Sequence, residues 1–193
     1  MIILILIISS FILGFYFNGL LKDGLNDSYI DKLISITKSK KIPVFISGQT
    51  GYAKNIDVKI FYEDLNFSEN PKGTILLING AAETMIQWPE QMIRTLIKND
   101  FRVIRYDNRG LGQSDWIKKW SKRNDYNLEE MARDALAVTN HLMIKKFHII
   151  GYSTGGMIGQ ILAINHPEKI KTLTNLMSSG YLFDPEAEKP DSK

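Results

Sequence analysis

Five residues, Gly151-Tyr152-Ser153-Thr154-Gly155, constrain this chain more than any other segment. The apolar run Phe147-His148-Ile149-Ile150 leads into them, and Gly156 and then Met157 to Ile164 follow. The first flank reads as a short buried strand and the second as a helix. G-x-S-x-G between a strand and a helix is the pattern of a nucleophile elbow. The turn must be tight enough for the serine hydroxyl to stand clear of the sheet. Side chains two residues before and after the serine would collide as strand and helix converge, and Gly151 and Gly155 remove them. The serine backbone is then strained, which only well-packed neighbours tolerate. Taken alone the five letters also describe a glycine-rich turn with a surface serine; the flanking elements favour the elbow.

The rest of the body repeats the same cadence. Pro43 to Ser47 and Ile56 to Tyr62 read as strands joined by a turn. Thr74 to Ile78 is a continuous apolar run, as expected of a strand covered on both faces. Gln87 to Ile97 has helical spacing, Arg102 to Tyr106 reads as a strand, and Leu128 to Leu142 as a helix. Asn127 is its expected N-cap, with Glu130 placed for a capping box. Phe147 to Ile150, Thr154 to Ile164 and Lys171 to Met177 complete the series as strand, helix and strand. Strands alternating with helices predict an α/β fold, a mostly parallel sheet with helices on both faces.

Two loops bear on chemistry. Asn79-Gly80-Ala81-Ala82 follows the strand ending at Ile78, and its small residues allow a backbone N–H to approach a carbonyl oxygen. In an elbow enzyme one oxyanion donor comes from such a loop and the other from the residue after the nucleophile. Ala81 and Thr154 are therefore the candidate oxyanion-hole residues, beside the candidate catalytic Ser153. The second loop, Asp107-Asn108-Arg109-Gly110-Leu111-Gly112-Gln113-Ser114, is glycine-rich but does not open a helix inside a βαβ unit, so a dinucleotide site is rejected. An Asp107–Arg109 pair shaping the loop is expected instead.

DNRGLGQS after a strand, then GYSTGGMIGQILAINHPEKIKTL, resembles the α/β-hydrolase superfamily. LLINGAAETMIQWPEQMIRTLIKNDFRVIRYDNRGLGQSD and the closing NLMSSG are similar to its aclacinomycin methylesterase-like esterases. The resemblance runs from about Gln49 to about Gly180. It implies a serine esterase acting on small or medium carboxylic esters through an acyl-enzyme, without metal or other cofactor. Asn79 departs from the His-Gly that many members carry there.

Chain order in this fold is Ser, then Asp or Glu, then His. The three histidines are His141, His148 and His166. His141 falls near a helix end, His148 at the start of the strand leading to the elbow, and His166 one helix beyond it; all read as structural or surface residues. Asp184 follows the last strand as a candidate acid, although the resemblance places the acid later. About six of the fold's usual eight strands are visible, so the expectation is an α/β-hydrolase fold truncated after about the sixth strand, inactive alone for lack of acid and base.

Residues 1–17 read MIILILIISSFILGFYF without a charged side chain, close to the length that crosses a bilayer. Three segments are expected: 1–20 as membrane anchor or signal segment, 21–41 as a linker with a short amphipathic helix, and 42–193 as the hydrolase body. The chain is then membrane-anchored, with the side open, or alternatively secreted or periplasmic. A net charge of +3 with scattered lysines points away from nucleic acid. The absence of cysteine excludes disulfides and thiolate chemistry. Beside the ester hydrolase stand two other functions: a non-catalytic, membrane-tethered interaction module that kept the fold, and an acyltransferase or lactonase using the same elbow.

Overall fold

The computed structural model describes residues 27–39, 45–116 and 127–180. Two compact units emerge, 1–44 and 45–193. In the first, helix α1 (Asp27–Ser39) occupies the expected linker. Ile34 and Ile36 on it are exposed. Among the described residues no helix is long and apolar enough to cross a membrane; the anchor expected over 1–20 lies outside them.

The second unit is built on six strands: β1 (Gln49–Asn55), β2 (Val58–Leu65), β3 (Gly73–Ile78), β4 (Phe101–Tyr106), β5 (Phe147–Tyr152) and β6 (Ile170–Leu176). Their spatial order is β1-β2-β4-β3-β5-β6. The β1–β2 and β2–β4 pairs are antiparallel, and the β3–β4, β3–β5 and β5–β6 pairs are parallel. Thr74 to Ile78 of β3 are all buried, which its uninterrupted apolar run requires of a central parallel strand.

Alternation along the strands divides the core between the two faces. Leu76, Ile78 and Ile104 pack with Met131, Ala135 and Val138 of α3 (Leu128–His141) and Ile158 and Leu162 of α4 (Thr154–Asn165). Ile75, Leu77 and Val103 point the other way, against Trp88 and Ile93. Ile93 belongs to α2 (Glu90–Lys98). Helices therefore cover both faces, as expected of the α/β class.

Three local expectations are corrected. Phe45 to Gly48 adopt no regular structure, and the first strand is Gln49–Asn55. The helix expected from Gln87 starts at Glu90, after a single 3₁₀ turn over Met85–Gln87. Pro89 explains the break: it forces Trp88 into an extended conformation (φ −61°, ψ 131°) and itself opens α2. Asn127 does cap α3, accepting from the Glu130 N–H at 2.9 Å, but the Glu130 carboxylate does not close a capping box. It turns to Arg109 and Arg133 instead.

Candidate active site

Strand β5 hands over to α4 through Ser153 alone. Its backbone sits at φ 51°, ψ −117°, in the left-handed half of conformational space that a side chain disfavours. Three hydrogen bonds hold it there: the Ser153 N–H donates to the Leu176 carbonyl at 2.8 Å, and its own carbonyl accepts from Gly156 and Met157. The glycines are required by contact. A Cβ on Gly151 would fall 2.4 Å from the Gly155 carbonyl oxygen, and one on Gly155 would fall 2.0 Å from that of Ile78. Both obstacles are backbone, so neither can step aside.

The register brings the two candidate oxyanion loops to the same end of the sheet. Ile78 pairs with Gly151, so 79–82 leave β3 beside the point where β5 enters the elbow. A Cβ on Gly155 would lie 2.7 Å from the Asn79 carbonyl oxygen, which sets that loop against the first turn of α4. Thr154 is the first residue of α4, where backbone N–H groups have no partner within the helix. Neither Thr154 nor Ala81 donates its N–H to another group among the described residues. Ala82 next door has φ 59°, a turn conformation that reverses the loop.

The 107–114 loop buttresses this region differently from the expected Asp107–Arg109 pair. Asp107 is buried and accepts from two backbone groups, the Met85 N–H at 2.8 Å and the Gln113 N–H at 2.9 Å. One carboxylate thus ties the segment after Ala82 to the second loop. Gly112, at φ 50°, lets the carboxylate in: a Cβ there would lie 2.1 Å from Asp107 Oδ2. Arg109 reaches the other way. Its Nε and Nη2 grip both oxygens of Asp134 at 2.6 and 2.7 Å, and Nη1 meets Glu130 at 2.7 Å. Asp134 is 1 % exposed and also accepts from Asn55 Nδ2, so β1, α3 and the loop share one charge-paired knot. Hydrogen bonding from Arg133, followed by the charge of Arg109, holds the Glu130 carboxyl below its ordinary range. Beneath the knot, burial and then the Asp134 charge push the Tyr106 phenol well above its usual value.

A pocket of about 310 Å³ lies beside the elbow, lined by Asn79, Glu83, Trp88, Met92, Tyr152 and Met177 among others. This is near the small end of the range for ligand sites, ~300–1,000 Å³. Both polar atoms of the Asn79 side chain and Nε1 of Trp88 are buried in its wall without a partner. Glu83 and Trp88 escaped the sequence reading because neither belongs to a motif; only their position just after the 79–82 loop marked them.

None of the histidines stands by Ser153. His148 is the second residue of β5 and shares a hydrogen bond of 2.8 Å with Thr172. His166 closes the far end of α4 and faces Glu168 at 3.7 Å. His141 packs against the Tyr62 ring, with centroids 5.6 Å apart. Asp184 lies outside the described residues. No group of His, Asp and Glu side chains among the described residues is arranged to hold a metal ion.

Known proteins share this architecture. A family model described as "alpha/beta hydrolase fold" matches residues 73–192. Rhodomycin D methylesterase DnrP of Streptomyces peucetius is 32% identical over 134 residues, covering 69% of this chain and 44% of that protein. 3-Oxoadipate enol-lactonase 2 of Acinetobacter baylyi is 29% identical over 128 residues, covering 66% and 44%. Among solved structures, the enol-lactonase from Burkholderia xenovorans LB400 superposes with a TM-score of 0.56 at 28% identity, covering 64% of this chain and 45% of that one. The chain spans less than half the length of each of these relatives.

Proposed function

Because the chain belongs to the α/β-hydrolase fold family, we propose that it works as a carboxylic ester hydrolase with Ser153 as its nucleophile. The observation that carries this reading is the Ser153 backbone, strained and wedged between two glycines that no larger residue can replace. Strain of this kind persists where function needs it. Ser153 Oγ attacks the ester carbonyl carbon, and the Thr154 and Ala81 N–H groups receive the oxyanion. The alcohol departs, and water then releases the acid from the acyl-serine. Each such donor contributes about 2.7–4 kcal/mol at the transition state.

The proton of Ser153 needs a base, and all three histidines of the chain sit elsewhere. The 193-residue chain by itself should therefore turn over poorly, about 10³–10⁴ above water and no more. The relatives support the ester and lactone class; an acyltransferase would use the same acyl-serine. A fluorophosphonate probe tests the reading, applied to the 193-residue chain and to a form extended at its C-terminus by a segment that supplies a histidine. Labelling of the longer form at Ser153, lost in Ser153→Ala, is the expected result. Labelling that survives the substitution, or none in either form, would leave the non-catalytic, tethered module as the better account. The membrane attachment of 1–20 remains a separate proposal, checked by whether deleting those residues releases the protein from membranes.

A further inference from the structure

The pocket beside the elbow has a charge character of its own. Among the described residues its wall carries one carboxylate, Glu83, and no lysine, arginine or histidine. Gly80 makes room for that carboxylate: a Cβ there would fall 2.8 Å from Tyr152 Cδ1 and 3.2 Å from Glu83 Oε2. The acid and the Tyr152 ring thus share the space over Gly80, at the strand end that leads into Ser153. Among the described residues no salt bridge neutralises it. Trp88, Met92 and Met177 supply apolar and aromatic surface around it. Aromatic faces and a carboxylate both attract a cation, and neither suits an anion.

We propose that this pocket selects esters whose chain bears a cationic amino group and turns away esters that bear a carboxylate. The volume of about 310 Å³ admits a short, unbranched chain and little more. Glu83 is the specificity-determining residue, and Trp88 and Tyr152 flank the cationic end. This rests on the hydrolase reading of the same site, so its test is made on binding alone.

Ser153→Ala protein, which needs no chemistry, is titrated with three methyl esters of similar length and followed by nuclear magnetic resonance at the Trp88 indole. They are methyl 6-aminohexanoate, methyl heptanoate and monomethyl adipate. The amine should bind about tenfold more tightly than the adipate, with the neutral ester between, as expected for one partly exposed charge acting by attraction and repulsion. Glu83→Gln should bring all three within about twofold of one another. High salt should compress the order in the unsubstituted pocket as well, which covers the case of a misfolded variant. Equal binding of amine and adipate at low salt, or a preference that survives Glu83→Gln, would overturn the proposal. Failure of phosphonate labelling at Ser153 would bear on the hydrolase reading and leave this order of affinities intact.

Discussion

At Ser153 the chain accepts a conformation that almost any other choice of residue would avoid. The strain has a measurable size. A serine or alanine at φ 51°, ψ −117° carries a Cβ that this region disfavours by about 1–3 kcal/mol, whereas glycine carries none. Ser153→Gly should therefore unfold at higher urea than Ser153→Ala, by about 1 kcal/mol once the extra freedom of an unfolded glycine is allowed for. Equal midpoints would mean that the backbone there is relaxed. The tight bend from strand to helix was legible in the sequence because its constraint is local: two glycines, a serine and the change of period on either side are all neighbours in the chain. Asp107 was not legible in the same way. Its partners are the backbone N–H groups of Met85 and Gln113, which every residue possesses, so no side chain in the sequence announces them.

Among the elements, helix α3 shows how a residue can be read correctly in place and wrongly in role. Glu130 sits three positions after the N-cap, yet its carboxylate joins the knot of Arg109 and Arg133. The consequence is a pH dependence of known sign. Hydrogen bonding from Arg133 and the Arg109 charge lower its pKa below the ordinary 4.5, so the folded state releases this proton more readily than the unfolded state. The stabilisation is complete above about pH 4.5 and is lost as pH falls through the lower, folded value. Urea midpoints of the protein and of Glu130→Gln should differ at neutral pH and converge as the medium is acidified below that point; a gap that does not narrow would exclude this origin. Strand β1 was missed for a different reason. Of its residues only Ala53 is fully buried, Gln49, Thr50, Tyr52 and Lys54 are exposed, and no apolar alternation survives to be read. The central strands, buried on both faces, were found almost to the residue.

For the body as a whole, the two sheet edges are unlike. At one, β1 carries a lysine and packs under α3, which blunts it. At the other, β6 has a neighbour on one side only among the described residues, and Leu176 and Met177 are exposed at its end. An open, partly apolar edge is a template for another strand. Sedimentation velocity should show the chain associating as its concentration rises, and Thr174→Lys should weaken that association. A monomer at every concentration would mean that the edge is covered.

The sheet order also sets a timetable. Strand β3 lies between β4, which leaves the ribosome soon after it, and β5, which emerges only after α2, β4 and α3. One flank of the most apolar strand must wait, unpaired, through the synthesis of all that intervenes, and distant pairings of this kind are slow to form. Since Ile78 meets Gly151 at that late junction, the bend at Ser153 cannot be sprung until the gap is zipped shut. A nascent chain arrested before Tyr152 would hold α2 and α3 and the strands they cover, yet lack the serine and the helix that gives the bend its far side.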